Sequence, residues 1–239
     1  MSDNVCYRDA YAREVEADVV AVDADASAVL LQRTVFYPGG GGQPADGGVL
    51  EGASGESWPV TRARKDGDEI WHVVEGQPPA VGARVTARLD WDRRHALMRT
   101  HSALHVLCGV VWRDYSASVT GGNMEPLSGR MDFEFETMAG ELVAEIERRV
   151  NEEIAADREI RVAVLPRDQA FAIPDLIRTK INLLPEGISE VRTVEIVGLD
   201  LQADGGTHVA RTPEVGHVRV TGYESKGRIN KRIRIAVED

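Results

Sequence analysis

The stretch DWDRRHALMRTHSALHVLCGVVW, residues 90–112, decides how the rest of the chain is read. Wound as a helix, it puts Ala96, Leu97, His101, Leu104, His105, Cys108, Val111 and Trp112 on one stripe. Asp92 or a neighbour is placed to cap its start. Within the stripe His101 and His105 are four residues apart, so one ring sits above the other. Two readings of that pair stand open at this level. They are polar residues at a helix–helix seam, or two imidazoles that grip one metal ion.

Before residue 91 the texture is different. EVEADVVAVD (14–23), SAVLLQRTVFYP (27–38), EIWHVVEG (69–76) and ARVTARLD (83–90) are strand-like, with Val85, Ala87 and Leu89 in period two. Glycine and proline punctuate them in PGGGGQP (38–44), GGVLEGASGES (47–57) and GQPPAVG (76–82). Residues 1–90 therefore predict a small β-barrel or sandwich. After the helix, RMDFEFE alternates as a strand, and AGELVAEIERRVNEEIAAD is an amphipathic helix with Leu142, Ile146, Val150 and Ile154 on one face. EIRVAVLP is a strand, RDQAFAIPDLIRTK a short helical piece broken at Pro174, and VRTVEIVG, GHVRVTG and RIRIAV are late strands. Strands not separated by regular helices predict an α+β fold, with an N-terminal β-rich domain at 1–90 and an α+β domain at 91–239 that has an antiparallel sheet and packed helices.

Composition sets outer limits. Of 239 residues, 43% are hydrophobic, which is enough for a core and excludes wholesale disorder. Two cysteines, Cys6 and Cys108, far apart in the chain, argue against a disulfide scaffold and suit a reducing compartment. The N-terminus has no basic start followed by an apolar run, and no apolar stretch approaches the length of a membrane span. A soluble cytoplasmic protein is expected. A net charge of −11 speaks against a broadly basic, nucleic-acid-binding surface. The exception is local: SKGRINKRIRIAV (225–237) holds Lys226, Arg228, Lys231, Arg232 and Arg234, either as a solvated strand face or as a patch for phosphate.

A second histidine site follows about a hundred residues after the first. In LQADGGTHVARTPEVG (201–216), Asp204 and His208 are again four apart, across two glycines that permit a tight turn. His101, His105, His208 and Asp204 together offer the nitrogen and oxygen donors that zinc accepts. Ser102 follows the first histidine, so the built-in glutamate of the His-Glu-x-x-His proteases is absent. Three histidines with one exchangeable oxygen ligand resemble an open, working site more than a closed structural one. Cys108 is read as core, and His72, His95 and His217 are left outside the cluster.

THSALHVL together with DGGTHV resembles the paired zinc motifs of the alanyl-tRNA editing family, which comprises free-standing AlaX-type proteins and the editing domain of alanyl-tRNA synthetase. RTVFYPGGGGQPADGGVL (33–50) is similar to that family's glycine-rich motif, and IPDLIRTKINLLPEGISEVRTVEI (173–196) and ESKGRINKRIRI (224–235) to its longer members. The order of motifs is kept from about residue 30 to 235. One departure is Asp204, where much of the family has cysteine. A carboxylate is a harder ligand than a thiolate. The chain has no room for the synthetase's aminoacylation core.

The resemblance implies a zinc-dependent hydrolase that deacylates tRNA(Ala) mischarged with serine or glycine. It implies that Thr34 and Gln43, flanking the glycine run, shape the amino-acid pocket. A threonine hydroxyl there would hydrogen-bond serine, and alanine lacks that bond. It also turns the basic C-terminal residues Lys226, Arg228, Lys231 and Arg232 into expected tRNA contacts. Two other functions fit the residues: a zinc esterase or amidase for small substrates, and a non-catalytic tRNA-binding module held together by zinc.

Overall fold

Strands with one apolar face bury that face by closing on themselves. The computed structural model, which describes residues 3–179 and 187–239, shows this in the first part of the chain. Eight strands occur there: β1 (Asp3–Asn4), β2 (Glu14–Asp23), β3 (Ala28–Leu31), β4 (Arg33–Thr34), β5 (Gly48–Gly52), β6 (Ser57–Asp66), β7 (Glu69–Val74) and β8 (Arg84–Leu89). Six of them form a closed barrel in the order β2-β3-β7-β6-β5-β8, and β1 pairs with β4 in parallel. Closure removes the free edges that an open sheet would expose. Leu31, Phe36, Leu50, Ile70 and Val85 fill its core. The barrel replaces the looser expectation of a barrel or sandwich. β5 lies within the glycine-rich stretch 47–57 that the sequence marks as turn, and β6 follows it in residues to which the sequence assigns no element.

The glycine run lies between β4 and β5. Gly39, Gly40, Gly41 and Gly42 all have positive φ, at 85°, 135°, 59° and 88°. Side chains rarely adopt such values, so four successive glycines are required. The loop pinches shut where Gly40 and Gln43 exchange backbone hydrogen bonds of 3.0 Å each way. Its base is fixed by Asp46. The Asp46 carboxylate accepts the Tyr37 N–H at 2.7 Å and the Arg94 Nε–H at 3.0 Å, and the Arg94 Nη2 also contacts it. Arg94 donates further to the carbonyls of Ala10 at 2.9 Å and Val35 at 2.7 Å. Its side chain and that of Asp46 are 0% and 1% exposed.

The chain divides into two compact units, Met1–Ala96 and Leu97–Asp239, a division that falls inside helix α1 (Trp91–Tyr115). Asp90, not Asp92, caps this helix, accepting the Arg93 N–H at 3.1 Å. The second unit continues with β9 (Val119–Glu125), β10 (Ser128–Glu134), α2 (Gly140–Ala155), β11 (Ile160–Pro166), α3 (Arg167–Phe171), β12 (Glu190–Ile196), β13 (Asp200–Ala203), β14 (His217–Ser225) and β15 (Asn230–Glu238). Two antiparallel sheets result, ordered β14-β15-β10-β9 and β11-β12-β13. The α+β class read from the sequence is the class observed. Gly129 on β10 meets α1, since a Cβ there would lie 3.2 Å from Leu104. The buried face of α2 carries Val143, Ile146, Val150 and Ile154; Val143 is buried while Leu142 is half-buried. One outer edge of the larger sheet, β14, is closed by α2 side chains. Asn151 both donates to the Val218 carbonyl at 2.7 Å and accepts its N–H at 2.9 Å, and Glu147 accepts the Val220 N–H at 2.6 Å. Helix α3 ends at Phe171, ahead of Pro174; residues 180–186, within the longer-member motif, lie outside the described residues.

The Arg94–Asp46 pair gives the first test. Arg94→Met strands a buried carboxylate and should lower stability by about 3–5 kcal/mol. Arg94→Met with Asp46→Leu removes both charges and should lose clearly less than the two single changes summed. Denaturant unfolding of the full chain measures this. Additive losses would show that the pair does not act as a unit.

Candidate metal centre

His101 and His105 stand on successive turns of α1. Asp204 and His208 come from the loop after β13. The donor atoms of these four residues lie within 4.8 Å of one another. Asp204 Oδ1 is 3.4 Å from His101 Nε2 and 4.0 Å from His105 Nε2, while its Oδ2 is 3.0 Å from His208 Nε2. Ligands about 2.05 Å from a tetrahedral zinc ion are about 3.3 Å apart, and each of the three rings has one oxygen of the carboxylate within 3.0–4.0 Å. The rings pack closely: His101 stacks on His208 with centroids 4.2 Å apart, and both meet His105 edge to face. Nitrogen lone pairs aimed at a carboxylate repel it unless a cation or proton lies between. The donor set therefore fits a divalent cation of the zinc kind.

A histidine that gives Nε2 to a metal carries its proton on Nδ1, and that proton needs an acceptor. His208 Nδ1 is 3.2 Å from Ser102 Oγ, which also accepts the Val209 N–H at 3.2 Å. Among the described residues His105 Nδ1 has no hydrogen-bond partner within range, but Asp200 Oδ2 stands 3.6 Å away, just beyond it. Asp200 is held in turn by Arg178 at 3.3 Å and by Gln202. Gly109 makes room for this approach, because a Cβ there would come within 3.0 Å of the Asp200 Cβ. Ser102 and Asp200 were not singled out in the sequence as parts of the site. The signals available were a hydroxyl directly after the first histidine and an acid four residues before Asp204.

Burial governs the charges. It pushes His208 down to about 4 and His101 well below its ordinary value, Asp204 offsetting only part of the effect. For His105 burial acts the same way, but Asp200 and Asp204 outweigh it and hold the ring above 6.5. Burial opposes ionisation of Asp204, yet the three histidines keep it well below the usual carboxylate range. Two of three imidazoles are thus neutral and ready to ligate at pH 7. Cys108 is buried, and burial pushes its thiol up, so it is not a thiolate.

Thr34 is buried in the first unit, with its Oγ 2.7 Å from His72 Nε2 and accepting the Phe36 N–H at 3.1 Å. His72 Nδ1 faces the Val29 carbonyl at 3.2 Å, and burial lowers the ring to about 4. The proton therefore sits on Nδ1, and Thr34 donates its own to Nε2. Gln43 is buried in the glycine loop. His95 stacks on Trp91, and His217 is exposed at the start of β14. In the basic stretch, Lys226 and Arg228 are exposed. Lys231 is buried, its Nζ donating to the carbonyls of Gly227 at 2.7 Å and Arg228 at 2.9 Å. Arg232 clasps Asp132 with two bonds of 2.7 and 2.8 Å.

The chain is of the aminoacyl-tRNA synthetase-related class. Residues 8–93 match the family of class II (A) tRNA synthetases, and residues 191–234 match the second additional domain of threonyl and alanyl tRNA synthetases. It is 35% identical over 240 residues to the alanyl-tRNA editing protein AlaX-M of Saccharolobus solfataricus, with 100% of each chain covered. To the AlaX-M protein of Methanosarcina barkeri it is 34% identical over 244 residues, again with 100% of each covered. Against the alanine–tRNA ligase of Pyrobaculum neutrophilum the identity is 36% over 225 residues, which is 91% of this chain and 25% of the ligase. The chain belongs to the AlaX-M family of alanyl-tRNA editing proteins.

Two tests follow from this geometry. Ser102→Ala and Asp200→Asn should each weaken zinc binding about 10–100-fold while leaving the four donors in place. Chelator competition measures this, and unchanged affinity would leave both residues as ordinary packing. The second concerns pH. Metal must displace the protons that the free ligands carry. With only His105 raised, the logarithm of affinity should fall by about one unit per pH unit as pH drops below 6.5, and steepen only near 4, where His208 begins to take a proton. A slope that has climbed to about three by pH 5 would mean that all three histidines keep ordinary values.

Proposed function

We propose that the protein is a hydrolase that removes a wrong amino acid from tRNA(Ala), with seryl- and glycyl-tRNA(Ala) as substrates. In this reading zinc is held by His101, His105, His208 and Asp204. The observation that carries the reading is the convergence of these four buried side chains in a chain that is similar, over its whole length, to proteins named for alanyl-tRNA editing. A zinc ion held there supplies Lewis-acid polarisation of an ester carbonyl.

The chain's own residues have separate tasks. His101, His105 and His208 would hold the cation through their ring nitrogens, and Asp204 would supply its counter-charge. Asp200 and Ser102 fix two of the rings from behind. The protonated Cys108 thiol is no nucleophile, so the attacking group is water. Thr34 and Gln43 read the amino acid. Because Thr34 donates its proton to His72, it offers a substrate a lone pair, which takes serine's O–H and finds nothing on alanine's methyl. The exposed Lys226 and Arg228 contact tRNA phosphate together with Arg232, and Lys231 shapes their turn from within. Among the described residues no helix is long and apolar enough to cross a membrane, which accords with a cytoplasmic partner such as tRNA.

Incubating the purified protein with seryl-, glycyl- and alanyl-tRNA(Ala), with and without chelator, tests the reading. Chelator-sensitive release of serine or glycine, with alanyl-tRNA spared, is expected. Equal hydrolysis of small amino-acid esters would favour a general zinc esterase, and tRNA binding without turnover a structural zinc module. Thr34→Val should slow seryl-tRNA hydrolysis by about fivefold, the worth of one neutral hydrogen bond of about 1 kcal/mol, and spare glycyl-tRNA. An equal drop on both would make Thr34 a scaffold residue.

A further inference from the structure

Asp204 differs from the three histidines because it has two oxygens to offer, and the fold treats them differently. Oδ1 faces His101 Nε2 at 3.4 Å and His105 Nε2 at 4.0 Å. Oδ2 accepts the Gly206 N–H at 2.7 Å and stands 3.0 Å from His208 Nε2 and 3.7 Å from Arg192 Nη1. Arg192, on β12, is bound to the same residue twice more. Its Nη1 donates to the Asp204 backbone carbonyl at 2.9 Å, and its own carbonyl accepts the Asp204 N–H at 3.1 Å. The ladder between β12 and β13 runs from Ile196↔Asp200 to Thr193↔Ala203, so Arg192 and Asp204 are the next pair beyond its end. The Arg192 side chain is 11% exposed. A guanidinium does not lose its proton, and its planar fork fixes direction as well as charge.

We propose that Arg192 is a positioning residue of the metal centre, matched to a carboxylate ligand: it tethers the backbone and the Oδ2 side of Asp204, leaving Oδ1 as the oxygen presented to the cation. The inference rests on the metal-centre reading above. A carboxylate needs such a tether. It can rotate about Cβ–Cγ, exchange one oxygen for the other, or bring both to the ion. A thiolate has one donor atom and no such choice, and it is the firmer zinc ligand. Arg192 should therefore matter in proportion to the ambiguity of its partner. With Asp204 in place its loss should be felt strongly at the metal, and with Asp204→Cys it should hardly be felt.

The experiment measures zinc affinity by competition with a chelating dye for the native protein, Arg192→Met, Asp204→Cys and the double variant. In the native background Arg192→Met should weaken binding about 10–100-fold, the range for partners that orient a ligand. In the Asp204→Cys background the same change should alter affinity by about threefold or less. Cobalt-loaded samples give a second readout. The visible absorption of the native form should be intense, as for four-coordinate cobalt, and should weaken in Arg192→Met as Oδ2 joins the ion. Arg192→Lys keeps the charge without the fork and should fall between; it carries the same comparison if the methionine variant does not fold. Equal losses in both backgrounds would make Arg192 a structural strut of the loop, and no loss in the native background would remove it from the centre. Either result overturns this inference alone. A native protein that binds no zinc would overturn the metal reading and this inference with it.

Discussion

Arg94 and Asp46 lie 48 residues apart in sequence, and both are sealed from water. A guanidinium in that position must satisfy its donors within the protein, and it does so on Asp46 and the carbonyls of Ala10 and Val35. Those contacts fix three things together. They anchor the base of the glycine loop, the chain just after β4, and the first turn of α1. Four consecutive glycines would otherwise be a slack segment, since each loses more backbone freedom on ordering than other residues do. The helix that starts at this fixed point goes on to carry His101 and His105.

The metal centre shows how neutral ligands and one charge are kept in balance inside a protein. Burial discourages every ionised form, and it is answered differently at each residue. His101 and His208 give up their charge, whereas Asp204 stays ionised in spite of its burial. His105 remains basic through Asp200, whose own charge is steadied by Arg178 and Gln202. A chain of side chains, Arg178–Asp200–His105–Asp204–Arg192, thus alternates in sign across the site. Alternation of this kind holds each group by its neighbours, so that changing one shifts the balance at the next.

Much of this was legible in the residues themselves. The spacing of His101 and His105, and of Asp204 and His208, follows from helix and turn geometry and needs no tertiary information. The period of Leu142, Ile146, Val150 and Ile154 marks α2; Leu142 and Val143 stand at i−4 and i−3 to Ile146, and it is Val143 that is fully buried. Other features had no local signature. β9 contains Gly121, Gly122 and Asn123, poor strand formers that are held in the sheet by pairing with β10. Asp200 reaches His105 through a contact 95 residues long in sequence, made possible by the absence of a side chain at Gly109. The basic stretch at 225–237 was counted as a run of cations. A count does not say where a charge points. Lys231 turns inward onto backbone carbonyls, and Arg232 spends its fork on Asp132.

The side chains of α2 at the rim of the larger sheet bear on how the molecule keeps its own company. Asn151 presents to Val218 one donor and one acceptor, in the sense that a neighbouring peptide group would, and Glu147 occupies the next free N–H at Val220. The rim of β14 is in effect already paired, by an amide that belongs to a helix. A stray strand from another chain would find the Val218 N–H and C=O and the Val220 N–H already taken. Protection of this rim thus rests on two polar side chains of α2 that are separate from the residues of the metal centre.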